Sequence, residues 1–163
     1  MKKILQKENS ILRKVAQEVP IKEIGSAKIK KIIKEMTEAL ANEPEGVALA
    51  APQIGYGLRL FIVAKHKLSQ EENPLPGGPL AGGEFLIFIN PKILKTSQKK
   101  VFLKEGCLSL TGIYKEIWRK EKALIEAYDE NGKKFRRGAS GLLAEIIQHE
   151  VDHLNGILFI DKK

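Results

Sequence analysis

Residues 148–156, with the sequence QHEVDHLNG, restrict the fold and the chemistry of this chain more than any other segment. His149 and His153 are four residues apart, so on a helix their imidazoles lie one turn apart on the same face and can reach a single ion. Glu150 stands beside the first histidine, where its carboxylate can take a proton from water at that ion. The spacing predicts a metal-dependent hydrolase.

The surrounding pattern predicts that this segment belongs to a buried helix. Ser140 is a typical N-cap residue, and Asn155 with Gly156 is a typical helix end. Leu142 and Ile146 fall on the same face as the two histidines, so they could line a substrate pocket. The apolar positions at helical spacing are Leu142, Leu143, Ile146, Ile147 and Leu154.

Two histidines at this spacing can also occur by chance on a solvated helix face. Against that reading, an imidazole buried on an apolar helix without a partner is costly. A zinc-like site needs a third protein ligand and an open position for water. The seven residues after Gly156 contain no His or Glu and a single Asp161, so we expect the third ligand upstream.

Composition favours one soluble domain over residues 1–163. The apolar fraction is 43%, the charged fraction is 29%, and no apolar stretch is long enough for a signal peptide or a membrane helix. The single cysteine, Cys107, rules out an internal disulfide and fits the reducing cytoplasm. The net charge of +8 indicates either a solvated surface or weak proximity to nucleic acid, without a sequence-specific recognition motif.

Periodicity and turn residues predict the other elements. We expect a surface helix over residues 26–41 and a short helical turn over residues 12–16. Residues 65–84, rich in Pro and Gly, are expected to form a mobile surface loop that contains a solvated His66. Strands are expected over residues 58–64, 85–89, 93–96 and 100–104, with a hairpin of residues 122–129 and 133–137 closed by a two-residue turn at Asn131-Gly132.

Two further segments allow a structural or a functional reading. Residues 46–55 combine small residues with Gln53, which is typical of tight packing but also places an amide donor in an apolar run. Residues 105–109 contain Cys107, which is either a small buried apolar side chain or the missing metal ligand.

Together and in this order, residues 46–53, 105–109 and 148–156 closely resemble three motifs of the peptide deformylases, G-x-G-L-A-A-x-Q, E-G-C-L-S and Q-H-E-x-D-H-L-x-G. Weaker similarity runs over residues 4–160. The resemblance implies an α+β fold in which antiparallel β-sheets wrap around a central metal-binding helix. It also implies that residues 1–163 form a single catalytic domain.

The resemblance assigns the metal site. It implies that Cys107, His149 and His153 hold one divalent ion per chain, usually Fe²⁺ and replaceable by Ni²⁺, Co²⁺ or Zn²⁺. It also makes Glu150 the general base and later the general acid.

The resemblance further assigns an oxyanion hole to Gln53 and the backbone N–H of Leu108. It implies that Glu105 pairs with Arg119 and thereby braces the metal loop. The substrate-binding positions it implies are Gly46, Val47, Ala48, Glu105, Gly106, Leu142 and Ile146.

Four positions depart from the family pattern. Ala48 replaces the second glycine of the first motif, and Thr111, Lys115 and Trp118 stand where Pro, Gly and Pro are more common. We expect Ala48 to have a negative φ and to point away from the pocket that Val47 faces, since side chains alternate along a strand.

The implied reaction is removal of the N-terminal formyl group from formyl-methionyl nascent peptides, with release of formate. The alternatives are a related amidase on another small N-acyl peptide and a non-catalytic, metal-stabilised binding protein. The expected partners are nascent peptides, with weak ribosome proximity through the basic surface. We expect a cytoplasmic monomer that binds neither a membrane nor a specific nucleic-acid sequence.

Overall fold

The computed structural model describes residues 1–68 and 84–163. Within them are two α-helices and seven strands, joined by short 3-10 turns. The helices are α1 (Ala27–Ala41) and α2 (Gly141–Leu154). The strands are β1 (Ala48–Ala50), β2 (Leu60–Ala64), β3 (Phe85–Thr96), β4 (Lys100–Glu105), β5 (Lys115–Lys120), β6 (Lys122–Tyr128) and β7 (Lys134–Ser140).

These strands form two antiparallel sheets around α2. One sheet has five strands in the order β1-β2-β3-β6-β7, and the other is the hairpin of β4 and β5. Side chains of α2 pack with residues of β2, β3, β6 and β7 in one apolar cluster. The predicted α+β fold with antiparallel sheets around the histidine-bearing helix is confirmed.

Strand β2 shows how the sheet lies between the two helices. Phe61 and Val63 pack in the cluster that contains α2, whereas Leu60 and Ile62 pack in the cluster that contains α1. All five residues of the strand are buried. Because successive side chains point to opposite faces, a strand covered on both faces is apolar throughout, which is the pattern that predicted it.

Helix α1 matches the prediction from its capping residues and apolar face. The Ser26 hydroxyl accepts a hydrogen bond from the Ile29 N–H at 3.3 Å, and the helix ends at Asn42. Its predicted apolar positions are buried or half-buried against the sheet, namely Ile29, Ile32, Ile33, Met36 and Leu40. The face therefore contributes to the core, as predicted.

Helix α2 begins and ends where the sequence predicts, although its first residue is capped differently. Ser140 occupies the N-cap position without a side-chain capping bond, and Asn155 is the C-cap. Gly156 follows with φ +74°, and a Cβ there would lie 2.6 Å from the carbonyl oxygen of Arg13. The glycine is required both by the helix end and by the close passage of the N-terminal segment.

The prediction of two strands between residues 85 and 96 is wrong, because β3 is continuous. Asn90 takes a φ of +50°, and the pairing with β6 shifts register around it. Its side-chain amide accepts from the Val19 N–H and donates to the Val19 carbonyl, both at 2.8 Å. A bulge therefore accommodates Asn90 and Pro91 inside the strand, where their residue types predict a break.

Two features of the later strands differ from the prediction. Strand β5 was not predicted. It buries Ile117 and also Arg119, and a charged residue at an inward position masks the alternation of apolar and polar residues that is typical of a strand. The hairpin of β6 and β7 is confirmed, but its turn is not a two-residue turn. The Asp129 N–H donates to the Lys133 carbonyl, and Gly132 has φ +82°, which is a three-residue loop ending in a left-handed residue.

The remaining predictions concern the chain termini and the loop after β2. The N-terminal helical turn spans Ser10–Arg13, slightly earlier than expected. Lys65–Lys67 form a 3-10 turn in which His66 is exposed, while residues 69–83 of the predicted loop lie outside the described residues. Neither helix of the described chain is long and apolar enough to cross a membrane.

Candidate metal centre

Three potential metal ligands converge from two elements. Cys107 lies two residues beyond the end of β4, and His149 and His153 lie on α2. The Cys107 Sγ is 3.2 Å from His153 Nε2, which is 3.2 Å from His149 Nε2. All three ligand atoms lie within 4.8 Å of one another, so one ion could bind all three.

The ring orientation of His149 is set by Glu105. The Nδ1 of His149 is hydrogen-bonded to Glu105 Oε1, which leaves Nε2 facing Cys107 and His153. A carboxylate on the far ring nitrogen of a ligand histidine is a common arrangement that fixes the ring and its tautomer. Glu105 can therefore act on the metal site without touching the ion.

Arg119 holds Glu105 in place, as the resemblance to the deformylases implies. Its Nε and Nη2 bind the two oxygens of Glu105 at 3.0 and 2.6 Å, and its Nη1 binds Asp152 Oδ2 on α2 at 2.6 Å. Burial raises the pKa of Glu105, but hydrogen bonds from His149 and Arg119 outweigh burial and lower this pKa to about 2. The carboxylate stays charged, and the network joins the metal loop to the helix.

The donor set fits a divalent transition-metal ion. A cysteine sulfur with two imidazoles suits several first-row metals. Burial is the largest cause that holds the pKa of His153 well below its usual range, which favours the neutral imidazole, the form that binds metal.

Glu150 is a buried carboxylate beside the ligand cluster. It is 4% exposed, and its Oε2 has no hydrogen-bond partner among the described residues. Burial raises its pKa to about 7. A carboxylate with this pKa can exchange a proton near neutral pH.

The side chain of Gln53 is held in one orientation by its neighbours. Its Oε1 accepts from the Ala50 N–H at 2.9 Å, and its Nε2 donates to Ser109 Oγ at 3.0 Å. The same nitrogen lies 3.6 Å from Cys107 Sγ. A fixed amide donor thus faces the ligand cluster.

Leu108 contributes a backbone donor at the same place. Its N–H forms no hydrogen bond within the described part of the chain, and its carbonyl accepts from Gln6 Nε2 at 3.1 Å. The N-terminal segment therefore holds the peptide that follows Cys107.

These groups open onto one pocket with a volume of about 290 Å³. Val47 and Ala48 form one wall, and Leu142 and Ile146 of α2 form another. The pocket brings together all the predicted catalytic and substrate-binding positions, Gly46, Val47, Ala48, Gln53, Glu105, Gly106, Leu108, Leu142, Ile146 and Glu150, with Cys107 and His149. His153 is not in its lining and lies buried behind.

The prediction for Ala48 needs a partial correction, which concerns the direction of its side chain and not its backbone. Among the described residues, Asn90 is the one non-glycine with a positive φ, so the predicted negative φ of Ala48 is confirmed. The side chain does not point away from the pocket wall, however. Ala48 lines the pocket beside Val47 and packs in the same apolar cluster as Val47 and Leu142. Val47 lies before the first residue of β1, so the alternation of a strand does not extend to it.

Sequence reasoning missed several residues around the pocket. Glu45, Tyr114 and Glu145 also line it, and Ser109 is fully buried against Gln53. Of these, Ser109 had a signal, since it is the last residue of the cysteine motif.

Gln148, the first residue of the helix motif, has a structural position. Its Oε1 accepts from the Lys120 N–H, and its Nε2 donates to the carbonyls of Lys120 and Ala144, each at 2.9 Å. The amide thus ties α2 to the end of β5.

Comparison with known proteins agrees with this geometry. The family model described as polypeptide deformylase matches residues 1–163. A peptide deformylase of Borreliella burgdorferi is 45% identical over 134 residues, which cover 82% of this chain and 72% of that protein. The chloroplastic peptide deformylase 1A of Solanum lycopersicum is 37% identical over 99% of this chain, and the match spans 59% of its length.

Solved structures give the same result. The peptide deformylase of Thermotoga maritima superposes with a TM-score of 0.82 at 31% identity and covers 99% of this chain and 97% of its own. The peptide deformylase of Legionella pneumophila superposes with a TM-score of 0.84 at 34% identity, and the match covers 100% of this chain and 86% of the other. These matches do not favour the two alternative functions, a related amidase and a non-catalytic binding protein. The chain is a hydrolase and belongs to the polypeptide deformylase family, which is metal-dependent.

Proposed function

We propose that residues 1–163 act as one catalytic domain that hydrolyses the formyl amide of formyl-methionyl nascent peptides and releases formate. The observation that carries the proposal is the position of Glu150. Its buried oxygen, without a hydrogen-bond partner among the described residues, lies beside the cluster of one sulfur and two imidazole nitrogens at the wall of a single pocket. A binding protein would need the ligands alone, whereas hydrolysis needs this carboxylate as well.

Cys107, His149 and His153 would hold one divalent ion. When bound, the ion supplies a Lewis acid that acidifies water and polarises the formyl carbonyl. We propose Fe²⁺ as the native metal, with Ni²⁺, Co²⁺ or Zn²⁺ able to replace it, because a set of one thiolate and two imidazoles accommodates each of them.

Glu150 moves the proton in this scheme. With a pKa raised to about 7 by burial, its Oε2 takes a proton from the attacking water and then delivers it to the nitrogen of the leaving amine. Acting as base and then as acid in this way is worth about 10²–10⁴-fold in rate. The products are formate and a free methionine N-terminus.

Gln53 and Leu108 stabilise the charge that develops on the formyl oxygen. The side-chain amide of Gln53 is fixed by the Ala50 N–H at its oxygen and by Ser109 Oγ at its nitrogen, and the Leu108 N–H has no other acceptor in the described chain. Donors that are already oriented before the reaction stabilise an oxyanion without reorganising.

The pocket would take the methionine side chain and the peptide backbone. Its apolar walls come from Val47, Leu142 and Ile146, and its 290 Å³ volume is at the small end for ligand sites. Gly46, Ala48 and Gly106 offer backbone groups along its edge. Glu105 also lines the pocket, with its carboxylate engaged by Arg119 and His149.

The substrate indicates where the protein works. Formyl-methionyl chains arise on ribosomes, so we propose a cytoplasmic monomer that encounters the ribosome weakly through its basic surface, with a net charge of +8. The proposal includes no membrane partner and no sequence-specific nucleic acid.

The decisive experiment measures formate release from formyl-Met-Ala-Ser by anaerobically purified protein, together with its metal content. We expect turnover with one metal ion per chain. The acetylated peptide is the matched substrate control, and faster cleavage of that peptide would support the amidase instead. Exposure to air should inactivate the Fe²⁺ form faster than a Ni²⁺ form, and equal decay would contradict iron as the native metal.

A further inference from the structure

The outer face of the β4–β5 hairpin carries aromatic and basic side chains that the catalytic site does not use. Strand β4 contributes Lys100, Phe102 and Lys104, and strand β5 contributes Trp118 and Lys120. In the hairpin register, Lys100 pairs with Lys120 and Phe102 pairs with Trp118. We call these five residues the aromatic-basic face.

The two aromatic rings form an exposed pair. Phe102 is 53% exposed and Trp118 is 54% exposed, with ring centroids 5.0 Å apart and planes inclined by 39°. The opposite side of the hairpin supplies the buried side chains, Ile117 among them. The rings are therefore not needed to fill the core, and an exposed aromatic pair of this kind marks an interaction site.

The charge around the rings is mainly positive. Within the described residues, Lys100, Lys104 and Lys120 form no ion pair, and the acid opposite Lys104 is Glu116. The Lys104 Nζ lies 5.4 Å from the ring centroid of Tyr114. An anionic partner would therefore find three lysines and one carboxylate.

The face is continuous with two other surfaces. At one end, Tyr114 is 65% exposed and lines the catalytic pocket. At the other end, the residues that flank the hairpin lead to an open and largely apolar cleft of about 440 Å³, with Lys95 and Lys122 among its lining residues. A chain lying along the hairpin would run from this cleft to the mouth of the pocket.

We propose that the aromatic-basic face binds single-stranded RNA, with bases stacked on Phe102 and Trp118 and phosphates bound by the lysines. Aromatic platforms within a positively charged groove are how proteins bind single strands without reading their sequence. The choice of RNA rests on the proposed function, since an enzyme for nascent chains works beside exposed ribosomal RNA.

The spacing along β4 favours a nucleic acid over a membrane. Two residues of a strand span about 7 Å, so lysine, ring and lysine alternate at intervals that suit the alternating phosphates and bases of an extended strand. A membrane surface binds best to a contiguous apolar patch with basic residues at its rim. Here lysines interrupt the apolar residues on both sides.

The test uses Trp118, which is the only tryptophan in the chain. Titration with a short oligouridine should quench its fluorescence, and the logarithm of the binding constant should fall with that of salt concentration with a slope of about −2 for three phosphate contacts. Phe102→Ala should weaken binding at least ~5-fold through loss of one stacking partner. Hydrolysis of formyl-Met-Ala-Ser should be unchanged in this variant.

A charge-matched comparison separates this face from the general basic surface. Lys100→Ala with Lys120→Ala should reduce the salt slope by about 1.4, the share of two phosphate contacts. Lys30→Ala with Lys31→Ala, two exposed positions on α1, should leave binding and quenching in place. Equal losses in the two double variants, or binding without quenching, would overturn the proposal.

A second titration, with vesicles that carry anionic headgroups, tests a membrane surface as the alternative partner. If they shift Trp118 emission while oligouridine does not, the face binds a membrane surface and the RNA proposal fails. RNA binding without formyl-peptide turnover would instead defeat the proposed function alone.

Discussion

Arg119 binds both carboxylate oxygens of Glu105, at 2.6 and 3.0 Å, with both side chains less than 5% exposed. The pair lies directly behind His149, because Glu105 is also the partner of the His149 Nδ1. Stability and metal affinity therefore depend on the same guanidinium.

Arg119→Leu should lower the free energy of unfolding by about 3–5 kcal/mol, since it leaves a buried charge without its partner. Metal affinity should fall about 10–100-fold, because the ring of His149 loses its brace. Urea unfolding and metal titration measure the two effects. Arg136→Leu is the control: it removes an ion pair with Glu126 in which the arginine is 67% exposed, and it should cost far less than Arg119→Leu because solvent screens such a pair. Similar losses in both variants would contradict this interpretation.

Glu150→Gln should lower kcat by at least ~100-fold while metal content stays near that of the unsubstituted chain. The amide has nearly the same shape as the carboxylate but cannot take the proton from water. Formate release and elemental analysis of the same preparation check both halves. Parallel loss of metal and activity would mean that Glu150 is a ligand.

Cys107→Ala should greatly weaken metal binding, because two imidazoles alone leave the site without its third protein ligand. The chain offers a matched control in His66→Ala, which removes an exposed histidine outside the ligand cluster and should leave metal content unchanged. One tightly bound ion per chain in the Cys107 variant, with full turnover, would place the third ligand elsewhere.

Ala48→Gly should change kcat/KM by less than ~10-fold, equivalent to about 1.4 kcal/mol of transition-state stabilisation. The backbone of Ala48 lies outside the positive-φ region, so glycine relieves no strain there. Steady-state kinetics on formyl-Met-Ala-Ser measures the change. A hundredfold gain would show that alanine impairs the enzyme and would favour the related amidase.

Asp161→Asn should reduce stability at neutral pH by a modest amount. A hydrogen bond from Arg13 lowers the pKa of Asp161 below its ordinary 3.8, so the ionised form is favoured in the folded state. The contribution is therefore present above pH 3.8 and is lost as pH falls through the lower, folded-state pKa. Because the pair is more than one-third exposed, the effect should stay below about 1 kcal/mol.

Urea unfolding of the metal-free protein at several pH values measures this effect. The free energies of unfolding of Asp161→Asn and of the unsubstituted protein should converge as the pH becomes acidic. Glu8→Gln, at an exposed position outside the ion pairs of the described chain, should follow the unsubstituted protein at every pH. A difference between Asp161→Asn and the unsubstituted protein that grows as pH falls would contradict the assigned sign.

The sequence predicted those parts of the fold whose side chains follow simple periodicity. In helix α1 the buried residues recur with the helical period, and strand β2 is an unbroken apolar run that is buried on both faces. Strand β5 was missed because Arg119 occupies an inward position that an apolar residue would normally fill. Its reason for being there is Glu105, fourteen positions earlier, and pairing at that distance leaves no trace in local periodicity.

The ligand set could be predicted from motifs, but their surroundings could not. Tyr114 and Glu145 reach the pocket from outside the motifs, and only the folded chain brings them to it. Asn90 is a similar case in the backbone. Its left-handed φ is stabilised by Val19, which is distant in sequence, so the sequence of Asn90 and Pro91 read as a break in the strand.

The tie between Gln148 and Lys120 has a consequence for association with other chains. β5 belongs to a sheet of only two strands, and the open edge of such a sheet can pair with a strand of another molecule. The Gln148 amide occupies both the N–H and the carbonyl of Lys120 and so takes the place of a neighbouring strand there. The residue that precedes His149 thereby blocks edge-to-edge pairing at Lys120, the last residue of β5.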